Sequence, residues 1–500
     1  MKTKHLLLLL VLSLSSMLSA KTITVTNGND SGDGSLRKAV ADASAGDIIN
    51  FNFTGDIVNL TSAQISLEES ITINGINAAT NQKVILKAAA NLSVFNISGS
   101  LVINLNNLVF DGTGIAGNTA IKAPNGSRLN IEDCVFKNIN AQNNNGGAAR
   151  IQGMATIKNS IFQGNTSDGG YGGGALCIYH AADVTIEKCS FINNSCTKTS
   201  NTGGGAIVAR GTVVDGPCNV TIINSTFANN TSAQTGGAVL CSVQSSSDFT
   251  ANLTAINCTF TGNQGDGAVT AFVTSKGSAN VHLVNSLVVN NINAAGNTYS
   301  DLVETKSGTA TGSVLIDPNY VIYSQASETI NFDGKHCIKV DNPETENIFL
   351  GELQTFGVNN DKKRPIIYED YEKFPFPLIL LSESSIALGA GISTLEGYTI
   401  PTDDQVGDTR PTPPAIGALE YKEISGVSNP KNQSLKVYYT GQGIMVEGLT
   451  KKCPVEIYDV MGKLLYKSII EEQTSIPLHG IHSNIVIIKI DNQRFKILVN

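Results

Sequence analysis

Arg150, Gln152, Tyr179, Arg210 and Phe272 are the side chains whose types and spacing suit shared chemistry. Each closes a recurring phrase: "GGAARIQ", "GGALCIY", "GGAIVAR" and "DGAVTAF", with "GGAVLCS" between the last two. A guanidinium grips a carboxylate through two parallel hydrogen bonds, and an aromatic face attracts a cation. Such a set suits binding of a sugar or another partner. Beside a base, the same cations would neutralise a uronate carboxylate, as eliminative cleavage of an acidic polysaccharide requires. On a long flat sheet they could equally be solvated side chains and nothing more. All three readings stand on these residues.

Hydrolysis fits less well. An inverting glycosidase holds two carboxylates about 6.5–9.5 Å apart, and a retaining one about 5–5.5 Å. The glycine-led phrases put Arg150, Gln152, Tyr179, Arg210, Ser242, Thr270 and Phe272 on one parity, without a carboxylate. Elsewhere Glu132 and Glu187 share a column with Lys158 between them. Stacked strands would hold the two glutamates roughly 9.6 Å apart. The interposed lysine suits a salt-bridge ladder better than catalysis, so no catalytic residue is assigned.

Metal and nucleotide signals are weak. "NGNDSGDGS" from Asn27 offers oxygen ligands but lacks the calcium-loop spacing and closing glutamate, and reads as a turn. The histidines are scattered, with His180 on the inward parity or at a strand end. No zinc spacing occurs, and no glycine-rich loop joins a strand to a helix. No metal and no cofactor are expected.

The elements that would position these residues come from a repeat. "NLVFDG", "DCVFKN", "NSIFQGN", "KCSFINN", "NSTFANN", "NCTFTGN" and "NSLVVNN" follow one another at intervals of about 26 to 36 residues. Such a period marks a solenoid. Within each unit the apolar residues alternate: Leu176/Ile178, Ile207/Ala209, Val239/Cys241 and Val269/Ala271 share one parity. Short strands with one apolar face bury it only by stacking, roughly 4.8 Å apart, as coils. The fold expected is all-β, a right-handed parallel β-helix of pectate-lyase-like type. Phe110, Phe136, Phe162, Phe191, Phe227 and Phe260, then Val288, would form an internal stack. Asn107, Asn159, Asn224, Asn257 and Asn285 would sit in equivalent tight turns, tolerant of left-handed dihedrals, with amides able to bond from coil to coil. Cys134, Cys189 and Cys258 alternate with serines, too far apart to bridge, and read as packing residues. Cys196 and Cys218, in longer loops of neighbouring units, are candidates to pair.

The chain's ends differ. Residues 1–20 read as a cleaved secretory leader: Lys2 and Lys4, an apolar run from Leu6 to Leu12, then small residues ending at Ala20. No stretch is long enough for a membrane helix. Removing the leader takes the formal charge from −8 to about −10, which argues against nucleic-acid binding. The β-helix is expected over 21–310, with a cap helix at about 35–43. There Leu36, Ala39, Val40 and Ala43 fall at helical spacing behind a candidate N-cap, Ser35, while Arg37, Lys38 and Asp42 form a solvated face. Residues 311–424, where the phrase fades, are expected to be irregular final coils and a closing cap. Residues 427–500 alternate as short strands and read as a small C-terminal β-sandwich.

Four stretches carry resemblances. "GSLRKAVADASAGDIINF" is similar to the N-terminal segment of exported parallel β-helix proteins. The "GGA" phrases at Gly173 and Gly236, with Phe191 to Asn194 and Phe260 to Asn263, resemble the repeats of chlamydial polymorphic outer membrane proteins. "SIALGAG" at Ser385 and "DQVGDTRP" at Asp404 resemble the close of choice-of-anchor β-helix proteins. "VEIYDVMGKLL" and the final "IVIIKIDNQRFKILVN" are similar to type IX secretion sorting domains, with a turn at Gly462 and an insertion at His482. Together they imply an exported β-helix, secreted or held at the outer membrane surface of a Gram-negative bacterium. Its partners would be the type IX secretion machinery and a glycan or cell-surface ligand. Related repeats are associated with adhesion, and the same fold carries polysaccharide lyases acting on acidic glycans; fold alone does not choose.

Overall fold

The computed structural model describes residues 20–114, 116–199, 203–212, 216–343, 348–349, 354–355, 363–364 and 378–421. Further on it describes 436–439, 443–447, 452–459, 463–470, 474–477, 485–490 and 493–498. The leader expected over 1–20, except Ala20, lies outside these residues, as do the boundary near 424–427, Gly462 and His482. Two compact units divide between Lys422 and Glu423.

One coil shows the plan of the first unit. Leu176–Tyr179, Asp183–Glu187, Ser190–Ile192 and Ser195–Cys196 each give one strand to a different sheet. The next coil repeats it with Ile207–Gly211, Cys218–Ile223, Thr226–Ala228 and Thr231–Thr235. Pairing between coils is parallel, with Leu176 opposite Ile207, Ile186 opposite Ile222 and Phe191 opposite Phe227. Inward residues of every coil join one apolar cluster running from Val25 to Ile330. This is the solenoid that the repeat demands.

The phenylalanine column is as expected. Phe110, Phe136, Phe162, Phe191, Phe227 and Phe260 are fully buried, and successive ring centroids lie 4.4, 5.0, 4.6, 4.7 and 4.7 Å apart. Neighbouring planes are within 13° of parallel, because the coil spacing sets the ring spacing. Val288 continues the column opposite Phe260. The cysteine column is also packing, with an added role for its serines. The Cys134 and Cys189 amides donate to Ser160 and Ser225 Oγ, both at 3.1 Å. Burial pushes the Cys134, Cys189 and Cys258 thiols up to about 12. None of the nine cysteines is in a disulfide, so Cys196 and Cys218 do not pair.

The asparagine column is half as expected. Asn107, Asn159, Asn224, Asn257 and Asn285 all have φ between 47 and 57°, as do Asp133 and Lys188 at 53 and 54°. The continuous amide ladder, however, runs through a different column, three residues after each Phe. Asn165 Nδ2 donates to Asn194 Oδ1 at 3.0 Å, Asn194 to Asn230 at 2.9 Å, Asn230 to Asn263 at 2.9 Å and Asn263 to Asn291 at 2.8 Å. Each Nδ2 also donates to the carbonyl of the preceding coil's Phe, as Asn194 does to Phe162 at 2.8 Å. These amides are fully buried, where an unmet donor is costly, so each is satisfied twice. In the turn column Asn257 Nδ2 donates to Asn224 Oδ1 at 3.2 Å as expected, while Asn224 and Asn285 donate to the carbonyls of Asp403 and Ile392 in another segment.

Asp301 ends the ladder. Its Oδ1 accepts from Asn291 Nδ2 at 2.8 Å, and its Oδ2 from the Ser324 and Gln325 amides at 2.6 and 3.0 Å. Burial raises its pKa from 3.8 to about 6 despite these donors. A carboxyl whose folded pKa lies above its unfolded value stabilises fully below pH 3.8, and the benefit is lost as pH rises through about 6. About 3 kcal/mol of such pH dependence is expected from Asp301. By denaturant titration, wild type should lose about 2–3 kcal/mol more stability between pH 4 and pH 7 than Asp301→Asn does. Parallel profiles would refute it.

At the N-terminus, helix α1 (Leu36–Ala41) buries Leu36, Ala39 and Val40 against the first coils, and Ser35 Oγ accepts from the Lys38 amide at 3.2 Å. Arg37 is not the solvated residue expected. It pairs with Asp30 at 2.7 Å and donates to the carbonyls of Ala63 and Gln64 at 2.6 and 3.0 Å. The loop before the helix folds back and surrounds it.

The region 311–424 departs most from expectation. Coils continue regularly: Ser313–Asn319 pairs with Ser278–Val284 along all seven residues, and Ile322–Tyr323 extends the phenylalanine-bearing sheet. Residues 378–421 do not close the end; they run back along the outer face of that sheet. Ile379, Leu381, Ala387, Ala415 and Ile416 pack on Ile192, Ala228, Leu287 and Val289. Gln405 Nε2 donates to Cys189 O at 3.0 Å, and Thr226 Oγ1 donates to Gln405 Oε1 at 2.6 Å. The cause lies in the outward residues, polar at Lys137 and Gln163 but apolar at Ile192, Ala228 and Val289. Apolar side chains on both faces of a sheet require a second cover.

In the second unit, Lys436–Tyr439, Gly443–Glu447 and Thr474–Pro477 form one antiparallel sheet. Cys453–Tyr458, Leu464–Ile470, Ile485–Ile490 and Gln493–Leu498 form another. Ile444, Val446 and Ile476 of the first share one apolar cluster with Val455, Ile457, Val486 and Ile488 of the second.

Candidate ligand-binding face

The glycine-led strands form a nine-stranded sheet from Ile65–Leu67 to Leu302–Lys306. The "GG" that opens each strand is masonry. Gly173 takes φ +76°, which favours glycine, and a Cβ on Gly174 would lie 2.1 Å from Gly205 O in the next coil. The glycines therefore let adjacent coils touch at the corner, and the outward side chains that follow come into register.

Those side chains occupy two columns. Lys122, Arg150, Cys177, Val208, Leu240 and Thr270 lie opposite one another in succession. Tyr179, Arg210, Ser242 and Phe272 form the other. The expected flat, solvated face is not what forms. Cys177, Val208, Leu240 and Thr270 are fully buried, and Tyr179 and Phe272 nearly so. These apolar outward residues are covered from the side, and Tyr171, in the glycine-rich loop "DGGYGGG", packs against them. Phe272 belongs to the same cluster as Tyr179, three coils away from it beyond Arg210 and Ser242.

Four of the five sequence candidates meet around the two tyrosines. The Arg150 guanidinium lies over the Tyr179 ring at 5.5 Å, and the Arg210 guanidinium over the Tyr171 ring at 4.2 Å. The two rings meet edge to face at 5.2 Å. Gln152 Nε2 donates to Tyr179 Oη. Burial pushes the Tyr179 hydroxyl up to about 12, so it stays protonated at neutral pH. His180, at the strand end with φ +65°, places its ring 4.3 Å from Tyr179 and its Nδ1 2.6 Å from Thr212 Oγ1. Burial, then Arg150, holds its pKa below the usual value.

The electrostatics are one-sided. Lys122 is depressed first by burial and then by its neighbour Arg150. Arg210 is depressed by burial, and only Cys177 and Tyr171 oppose the shift. Among the described residues, none of these three cations forms an ion pair. By contrast, Lys158 bonds Glu187 at 2.8 Å and lies in register with Glu132, the ladder expected from their order. Tyr171 and Lys122 were missed from the sequence. Tyr171 lies in a loop whose path alternation does not predict, and Lys122 lacks the glycine phrase, although its column is that of Arg150.

Residues 84–291 match the family described as "Right handed beta helix region". Fold and match together make the chain a parallel β-helix protein, and they go no further than that class. None of the curated proteins compared with it matches. No helix among the described residues is long and apolar enough to cross a membrane.

Proposed function

We propose that this β-helix is an exported scaffold of adhesin type, secreted or displayed at the outer membrane surface of a Gram-negative cell, that contacts glycans or cell surfaces. The observation that carries the reading is the convergence of Arg150, Gln152, Tyr171, Tyr179 and Arg210 on one face. Rings that stack and donors that fork are the usual means of holding a sugar. The polymorphic-outer-membrane-protein-like phrases and the choice-of-anchor-like stretch from Ser385 support display. In this reading α1 plugs the first coil, and the two C-terminal sheets form a sandwich addressed to the type IX secretion machinery. A glycan array probed with purified protein tests the binding; no retained glycan or cell surface would sink it.

Export has its own test. Removing residues from Val427 onward should leave the protein inside the envelope with its β-helix folded, as judged by fractionation and protease resistance. Normal arrival of the shortened chain at the surface would refute the sorting role.

One observation favours a second reading, a lyase of acidic polysaccharides: His180, shifted toward its neutral form, stands beside the cations. Incubation with uronic-acid polysaccharides, followed at the absorbance of the unsaturated product, separates the two. Turnover that is lost in Arg210→Ala would support the lyase, and binding without turnover the scaffold.

A further inference from the structure

Among the described residues, Arg210 and Arg410 are almost wholly buried, and they are treated differently. Arg410 is matched by Glu420 at 2.6 Å and by four carbonyls and an asparagine. Arg210, with only 7% of its surface exposed, has one long bond, Nη1 to Gly170 O at 3.5 Å. Its Nε is sealed from solvent without any partner. A buried charge without counter-charge costs several kcal/mol, and folding alone gives no reason to keep it. Such a cost is the mark of a group retained for binding.

Resting on the reading of this face as a sugar-binding surface, we propose that Arg210 is the anchor for an oxyanion carried by the ligand, so that the glycan bound is acidic. The guanidinium carbon lies 4.2 Å from the centre of the Tyr171 ring, which holds the group in place to meet an oxygen of an acid group through Nη2. Among the described residues its Nη2 has no hydrogen-bond partner, and it is not one of the sealed atoms, so it meets solvent. Arg150 stands two coils away, roughly 9.6 Å along the axis and in the neighbouring column, with Lys122 one coil beyond it. Lys122 and Arg150 share one column and Arg210 lies further along in the neighbouring one, so a bound chain running obliquely across the coils would present acid groups to them in turn. Of the tyrosine pair between the arginines, Tyr179 is buried and Tyr171 is only partly covered, so Tyr171 is the ring within reach of a sugar. The acid group has two common sources, the carboxylate of a uronate or a sulfate ester. Either supplies the same paired oxygens.

The test uses the full mature chain with three probes: an oligogalacturonate, its methyl-esterified neutral form and a sulfated galactan oligosaccharide. Binding of at least one acidic probe is expected to be tenfold or more tighter than that of the neutral form, and to weaken as salt rises. Which acidic probe wins identifies the source. Arg210→Gln should lose tenfold or more of that affinity while its thermal midpoint in the absence of ligand stays level or rises, since an uncompensated charge is gone. A fall of several degrees in the unliganded midpoint would make Arg210 a structural residue and overturn the proposal. Equal binding of acidic and neutral probes, unchanged in Arg210→Gln, would overturn the anion assignment and leave sugar recognition standing. Failure of all probes alongside a blank glycan array would remove both.

Discussion

Phe191→Ala is expected to lower the stability of the β-helix by about 3–5 kcal/mol, the usual cost of emptying a fully buried phenylalanine site. The ring lies between Phe162 and Phe227 at 4.6 and 4.7 Å and reaches no solvent. Collapse around the gap is resisted because Phe162 and Phe227 are each fixed in register by their own strands. A solenoid is held together by nearest-neighbour interfaces, so one weak interface also lowers cooperativity. Denaturant unfolding should therefore show an earlier and broader transition, with Phe191→Leu intermediate. A loss under 1 kcal/mol would mean that the column is not a principal source of cohesion.

Arg410→Ala is expected to cost about as much by another route. The substitution leaves the Glu420 carboxylate buried without its counter-charge and takes a donor from the Gly417 and Ala418 carbonyls and from Asn224 Oδ1. Breaking a buried pair from one side typically costs 3–5 kcal/mol. Burial already raises the pKa of Glu420, and without Arg410 this carboxyl would be protonated more readily. Segment 378–421 should then lift from the sheet while the coils persist. Limited proteolysis should cut within it, and a hydrophobic dye should bind the exposed Ile192, Ala228 and Val289 with circular dichroism little changed. Wild-type resistance to cleavage would show that other contacts hold the segment. The opposite signs expected for Arg210 and Arg410, at equal burial, form a direct comparison: one guanidinium is matched inside the protein and the other is not.

Much of this architecture was legible in the residues. The interval of the Phe-bearing phrases specifies stacked coils, and the alternation inside each phrase specifies which side chains enter the core. Ser35 and the spacing of Leu36, Ala39 and Val40 place the first helix within two residues of its observed end. The order Cys-Ser-Cys-Ser excludes bridges within that column, and all its cysteines are free. Glu132, Lys158 and Glu187 could be read as one column because register between coils sets them opposite one another, and Lys158 pairs with Glu187.

Other features were illegible because they depend on chain segments that have no period. Alternation says that Cys177, Val208 and Leu240 point outward; it does not say that a loop bearing Tyr171 will lie over them. The "DQVGDTRP" stretch signals a closing region, but only the path of the chain reveals that it lies along the sheet. One clue was present: outward positions that change from Lys137 and Gln163 to Ile192, Ala228 and Val289 require a covering layer. Likewise the twofold satisfaction of Asn194 and its neighbours depends on a depth in the wall that spacing does not report.

A repeated local pattern was thus sufficient for coil geometry, core occupancy and register, since each interaction involved joins a residue to its counterpart one repeat away. Whether an outward arginine is solvated, matched or left waiting for a ligand depends on non-repeating segments that fold across the coils. Their position is decided by long-range packing and desolvation, so Arg210 and Arg410, alike as letters, acquire different chemistry only in three dimensions.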